Sequence, residues 1–203
     1  MYPIITISRE FGSGGHSVGK KVAELLNIPF YDGEIVAQAA KESGFDERIV
    51  SDQGEYTSRA NKWFGNWTLN ATAYYEDPQD QLFRIQSNII RNYAEQGPCV
   101  IVGRCADYIL KENGFLTLNV FIYSDMQHRA ERVLARYGET DVSIQKRLEK
   151  KDRNRKTYYK YYTDQIWGDY HNYNLSLDCG LLGVDLCAEM IVSAAKQMDN
   201  IQE

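Results

Sequence analysis

Between a β-branched apolar run, Ile4-Ile5-Thr6-Ile7-Ser8, and a helical stripe of Val18, Val22, Leu25 and Leu26, the chain inserts Gly12-Ser13-Gly14-Gly15. An apolar run with no polar face is the pattern of a strand buried on both sides in a parallel sheet. Glycines let the following turn adopt positive φ and approach other groups closely. The N–H groups that open the helix then point at whatever lies in front of them, and the helix dipole favours an anion there. A strand, a glycine turn and a helix in this order predict a phosphate-binding loop; the alternative is a glycine-rich turn that holds no ligand.

The rest of the chain repeats the alternation. Ile28-Pro29-Phe30-Tyr31 reads as a second strand ending in Asp32, and residues 33–42 as a helix. Residues 81–96 carry a stripe of Leu82, Ile85, Ile89 and Ile90 and end at Gly97-Pro98. Further strands are expected at 99–102, 116–123 and 175–178, and further helices at 106–112, 126–137, 143–162 and 184–198. Short apolar strands alternating with helices predict an α/β fold, a parallel five-stranded sheet covered by helices on both faces. Ligands in such folds sit at the carboxyl ends of the strands. Asp32, Arg104 and the glycine cluster all fall at such ends and are expected to converge on one cleft. Residues 43–80, polar and aromatic with Trp63, Phe64 and Trp67, have no steady period and read as an insertion.

The 203 residues suit one domain, with a core of 1–42, 81–136 and 172–203, the insertion at about 43–80, and a lid at about 137–171. A net charge of −5 argues against bulk binding to duplex nucleic acid. The apolar runs are too short to cross a bilayer. No leader is visible after Met1, and the four cysteines make no CxxC pair, so free thiols in a cytoplasmic protein are expected. Oligomeric state is not legible.

Two registers fit the glycine loop. Gly14 to Lys20 matches G-x-x-x-x-G-K, with Lys21 where Ser or Thr is expected, but it places Val18 in the loop and breaks the stripe. The preferred register is Gly12, Ser13, Gly14, Gly15, His16 and Ser17, with the Ser17 hydroxyl placed to approach Mg²⁺ and Gly15 where a phosphate-binding lysine usually stands.

Transfer of a phosphoryl group needs positioning and positive charge more than covalent help. Arg129, Arg132 and Arg136 recur at i, i+3 and i+7 and share a helix face, and Arg153 and Arg155 follow on the next helix. Joined around Gly138, the two helices would form a lid that excludes water; alternatively these arginines are a solvated face. Arg104 directly follows a buried strand. Asp32 either orients Mg²⁺, binds the acceptor, or caps the next helix. Tyr158, Tyr159, Tyr161 and Tyr162 read as packing more readily than base stacking. The three histidines form no triad or metal set; His16 is a candidate phosphate contact.

Three ordered segments, 8–15 (Ser-Arg-Glu-Phe-Gly-Ser-Gly-Gly), 28–32 (Ile-Pro-Phe-Tyr-Asp) and 100–107 (Val-Ile-Val-Gly-Arg-Cys-Ala-Asp), with Asp152-Arg153-Asn154-Arg155 and residues 173–178, resemble the cytidylate kinase-like proteins. The resemblance runs nearly end to end and is weakest over 43–80. It implies a three-layer P-loop kinase fold with an acceptor-binding insertion and a helical lid, ATP and Mg²⁺ as cofactors, and small nucleotides as the only partners. The implied activity is γ-phosphoryl transfer to a nucleoside monophosphate, CMP or dCMP. By matching position, Gly12 to Ser17 would hold ATP phosphates, Ser17 and Asp32 would serve the metal, and Asp32 and Arg104 would face the acceptor. Arg104, Arg129, Arg132, Arg153 and Arg155 would carry catalysis by clamping phosphates. The chain departs from the family pattern at Gly15 (lysine), Cys105 (aspartate) and Gln38 (arginine). Those departures leave open a nucleotide-binding protein of little activity, or a kinase of another small acceptor.

Overall fold

The structure is a computed structural model that describes residues 2–32 and 77–200, with residues 35, 38, 41, 42 and 44 between them. Among these, strands β1 (Ile4–Arg9), β2 (Phe30–Tyr31), β3 (Val100–Val102), β4 (Thr117–Tyr123) and β5 (Leu175–Asp178) form one sheet in the order β2-β3-β1-β4-β5. All four pairings are parallel, as the two-sided apolar runs require. The helices are α1 (Gly15–Leu26), α2 (Pro78–Glu95), α3 (Ala106–Glu112), α4 (Met126–Tyr137), α5 (Ile144–Thr163) and α6 (Cys179–Asn200), with a short 3₁₀ turn at Tyr170–Asn172. None is long and apolar enough to cross a membrane.

Successive strand residues point to opposite faces, and this divides the core in two. Ile5, Ile7, Val100, Val102, Val120 and Ile122 pack with α1 and α6. Ile4, Ile101 and Phe121 pack on the other face, with α2, α3 and the Tyr158–Tyr159 turn of α5. The result is the expected three-layer α/β/α arrangement. Buried Thr6 donates its hydroxyl to Asn119 Oδ1 at 2.7 Å, tying β1 to β4 within the sheet. The chain leaves β1 toward β2 and β3 on one side and later fills β4 and β5 on the other. Beyond the carboxyl end of β1, this reversal opens the crevice where such sheets bind ligands.

Most element boundaries fall within a residue or two of expectation, and two larger departures are informative. α2 begins at Pro78 rather than 81, because Asp77 caps it by accepting the Gln79 N–H at 2.8 Å and proline is preorganised for a first turn. α6 begins at Cys179 rather than 184: Asp178 accepts the Gly180 N–H at 2.9 Å and starts an early turn, which Gly183 interrupts at φ 76°, ψ 169°. Of the tyrosine run, Tyr158 and Tyr159 are buried and Tyr162 stacks on Phe83 with centroids 4.0 Å apart, while Tyr161 is exposed. Trp63, Phe64, Trp67 and nearly all of the expected insertion lie outside the described residues.

Candidate active site

Helix α1 starts at Gly15, two residues earlier than the stripe suggested, so half of the expected loop is its first turn. The G-x-x-x-x-G-K register is thereby excluded. Val18 is buried in the helix, and Gly19 packs so closely that a Cβ there would lie 3.0 Å from Ile7 and 3.1 Å from Phe30. Lys20 is exposed and Lys21 pairs with Asp185 at 3.3 Å, so neither lysine reaches the cleft. The first four N–H groups of a helix lack intrahelical partners. Here they belong to Gly14, Gly15, His16 and Ser17, and Gly14 has no side chain with which to cap them. Gly12 and Gly14 hold the turn at φ +82° and +97°. A Cβ on Gly12 would meet Val133 at 2.8 Å and one on Gly14 would meet Arg132 at 2.8 Å, so the loop sits against α4 at a distance only glycine permits.

A cleft of about 290 Å³ opens over these amides. Gly12, Gly14, Gly15, His16, Ser17 and Asp32 line it, facing Arg132, Arg136 and Arg155 from the α4–α5 pair. Arg9, at the end of β1, completes a set of four guanidiniums against the two carboxylates Glu10 and Asp32. Arg132 donates to the Gly12 carbonyl at 3.1 Å and Arg155 to the Arg9 carbonyl at 2.9 Å, so α4 and α5 are both fastened to the β1–α1 connection they face. Asp32 lies 3.5 Å from His16 Nε2 and 3.9 Å from an Arg9 nitrogen. The Phe11 ring stacks on Tyr137 at 6.2 Å and carries Arg155 5.8 Å above it.

Ser13 differs from its neighbours. It is fully buried, its N–H donates to the Glu10 carbonyl at 3.2 Å, and it does not line the cleft. Its place is in the turn that aims the amides, and its buried Oγ has no hydrogen-bond partner among the described residues.

The expected single cleft is two adjoining cavities. Arg104 lines the second, a narrow space of about 20 Å³ bounded also by Cys105, Tyr158 and Trp167. Arg9 and Arg155 line both cavities and so join them. Three consecutive residues here, Gly103, Arg104 and Cys105, have φ of +80°, +59° and +55°. Non-glycine residues occupy that region at a cost of about 1–2 kcal/mol each, and strain of this kind collects at functional sites. It turns the Arg104 side chain back over the strand end, where its Nη1 is buried without a hydrogen-bond partner among the described residues. Buried Cys105 packs into the core, and Gln38 donates its amide to Glu42 of its own helix at 2.7 Å.

Two expected phosphate clamps do not fit that role. Arg129 is buried behind the loop: it donates to the Phe11 carbonyl at 2.8 Å, pairs with Glu10 at 3.3 Å and contacts Asp152. Asp152 in turn accepts the Phe11 N–H at 2.8 Å. Arg129 thus fixes the loop from below and does not line the cleft. Arg153 is exposed and lines neither cavity. Residues i and i+2 of a helix do not share a face, and Arg155 holds the inner one. Arg9, Glu10, Phe11 and Asp152 were not singled out by residue type; the position of the first three, just past a buried strand, was the signal available. Burial pushes the Glu10 carboxyl above its ordinary range, opposed by the Arg129 guanidinium. Burial likewise raises the Asp107 carboxyl, to about 6, against the hydrogen bond from Tyr159. All four cysteines are buried, and none forms a disulfide among the described residues.

Solved structures of this architecture include several kinases. An uncharacterized protein from Eubacterium ventriosum is 32% identical, over 96% of this chain and 98% of its own, with a TM-score of 0.71. A shikimate kinase from Bacteroides thetaiotaomicron shares the fold at 12% identity (98% and 99% covered, TM-score 0.57). A gluconokinase from Sinorhizobium meliloti does so at 15% (99% and 98%, TM-score 0.52). No curated protein matches the sequence. The profile of the cytidylate kinase-like family matches residues 4–180, and with the five-stranded parallel sheet and the glycine loop at its switch point, the chain belongs to that family.

Proposed function

We propose that the protein transfers the γ-phosphoryl group of ATP to a nucleoside monophosphate, CMP or dCMP foremost. The observation that carries this reading is the uncapped amide nest of Gly14 to Ser17, faced by Arg132, Arg136 and Arg155 and continuous with the Arg104 cavity. The nest would bind the phosphates of ATP through backbone N–H groups and the α1 dipole. Arg132 and Arg155 would meet the charge spread over the transferring group, fixed in advance by their bonds to loop carbonyls. In the transfer, an acceptor phosphate oxygen bonds to the γ-phosphorus as the bond to the β-phosphate oxygen breaks, giving ADP and a nucleoside diphosphate. The acceptor oxygen is already ionised near neutral pH, so no general base is required. Arg104 would orient the acceptor phosphate, and Asp32 the acceptor or the metal.

Among the described residues no three His, Cys, Asp or Glu side chains are arranged to hold a metal. That is compatible with Mg²⁺, which protein sites bind through one or two oxygens plus substrate phosphates; Ser17 and Asp32, which both line the cleft, would supply them. When bound, Mg²⁺ would neutralise phosphate charge. The α4–α5 pair would act as the lid, and a setting in the cytoplasm among small nucleotides, away from membranes and nucleic acid, fits the free thiols and the net charge of −5.

ADP release, measured with Mg²⁺ across the common nucleoside monophosphates, tests the proposal. Folded protein that releases no ADP with any of them overturns it. A second reading, another small acceptor, is favoured by Gln38 and Cys105, neither of which presents a charge. Adding shikimate and gluconate to the panel, after the kinases of like fold, separates the two. ATP binding without turnover on any acceptor would identify a binding protein instead.

A further inference from the structure

A glycine loop for a nucleoside triphosphate normally works with a lysine that reaches the β- and γ-phosphates. This chain has Gly15 at that place, and neither Lys20 nor Lys21 reaches the cleft. The geometry shows what excludes a side chain at Gly15. A Cβ built there would lie 2.5 Å from Arg9 Cβ and 2.9 Å from Arg9 Cγ, against a third contact, Ile122 Cβ, at 3.4 Å. The stem of Arg9 therefore runs through the space that a side chain on residue 15 would need. Its far end lies against Gly103, where a Cβ would collide with an Arg9 guanidinium nitrogen, and its other nitrogen stands 3.9 Å from Asp32. The side chain is only 15% exposed. It crosses the floor of the site from the amide nest to the ends of β2 and β3, and it lines both the nest cleft and the Arg104 cavity.

We propose that Arg9 is a further phosphate-contacting cation of this site, beside Arg132 and Arg155, taking the place of a loop lysine, and that positions 9 and 15 are mutually exclusive. One of the two can carry a long cation only when the other is glycine, because their Cβ atoms compete for the same volume. This rests on the phosphoryl-transfer reading above and adds to it a residue and a rule of substitution. An arginine differs from a lysine here in kind. Its planar fork offers several donors in fixed directions and can hold two phosphate oxygens at once. Anchored on β1 rather than on the helix, it faces the nest from the sheet side, at the junction where a group leaving one cavity for the other must pass. Asp32 and the closely packed Gly103 hold its guanidinium at that junction.

The test uses the full chain with Arg9→Gln, Arg9→Gly, Gly15→Lys and the double change Arg9→Gly/Gly15→Lys. Three quantities are read: melting temperature without ligand, calorimetric affinity for inorganic tripolyphosphate and for ATP, and ADP release. Arg9→Gln keeps the Cβ that packs on Gly15 and removes the charge, so it is the variant least exposed to misfolding. Loss of one charge-assisted contact predicts about 10- to 100-fold weaker binding of tripolyphosphate and ATP, with a melting temperature near that of the wild type. Gly15→Lys alone is expected to lower the melting temperature, because its Cβ has no room. The double variant is expected to recover tripolyphosphate affinity to within a few-fold of wild type, a non-additive result that a merely structural Arg9 would not produce. The proposal is overturned if Arg9→Gln binds tripolyphosphate as well as wild type does. It also falls if Gly15→Lys is as stable as wild type, or if a folded double variant binds no better than Arg9→Gly. Wild-type protein that binds and turns over ATP while Arg9→Gln does so equally well removes this assignment and leaves the phosphoryl-transfer reading standing. Wild-type protein that binds neither ligand removes both.

Discussion

Replacing Asp152 with asparagine probes the joint between the glycine loop and the helices that face it. One Asp152 oxygen accepts the Phe11 N–H at 2.8 Å and the other is paired with Arg129, both groups being buried. Asparagine has the same shape but turns one acceptor into a donor. Either the Phe11 N–H or the Arg129 guanidinium then faces an N–H₂ group instead of an oxygen. Breaking a buried ion pair by removing one charge costs about 3–5 kcal/mol, largely because the other charge is left uncompensated. Arg129 retains Glu10 at 3.3 Å and the Phe11 carbonyl at 2.8 Å, which keeps it partly compensated and brings the cost down to about 2–3 kcal/mol. In a chain of this size each kcal/mol moves the melting temperature by about 2–4 °C, which predicts a fall of about 4–12 °C. Thermal melts by circular dichroism give that number. A cycle with Arg129→Met then isolates the pair, and a coupling of at least about 1 kcal/mol is expected for groups in direct contact. A melting temperature within a degree of wild type, or additive single changes, would refute the view that Asp152 and Arg129 fasten α4 and α5 to the loop.

Asp107→Asn is expected to change the pH dependence of stability. The folded carboxyl, raised from 3.8 to about 6 by burial, holds a proton between those values that the unfolded chain has released, so wild-type stability falls as pH rises through that window. The variant lacks this fall, and its advantage in urea melts should grow from little near pH 4 to as much as about 3 kcal/mol above pH 6; a gap that does not change with pH would count against the burial argument. Gly14→Ala forces a side chain into φ +97° beside Arg132 and Cys179, and should lose at least about 1–2 kcal/mol together with ATP affinity, read by melts and calorimetry. Arg155→Ala is expected to lower kcat/KM by about 10- to 1,000-fold, as loss of a preorganised donor does. Arg153→Ala, two residues away and exposed, should leave kcat/KM unchanged, and equal effects would mean that the two helix faces are misassigned.

The elements and the glycine turn before α1 were legible in the sequence because their causes are local. A two-sided apolar run, a stripe at helical spacing and a glycine that alone tolerates positive φ each act over a few residues, and Ile4–Arg9, the Gly12–Gly14 turn and Gly15–Leu26 follow from them. Which arginines serve the cleft was decided only by the tertiary structure. Arg153 and Arg155 were both expected as clamps, yet they lie two residues apart on different faces of α5, and Asp152, which reaches a loop amide 141 residues away, fixes the face that holds Arg155. Arg129 lies on the same helix face as Arg132, yet it is drawn beneath the loop. Glu10 and Asp152, from two distant segments, meet there, and a buried guanidinium is stable only where carboxylates surround it. Arg9 shows the same limit from the other side. The sequence places it after a buried strand, and only close packing shows that its stem fills the space of a side chain on residue 15.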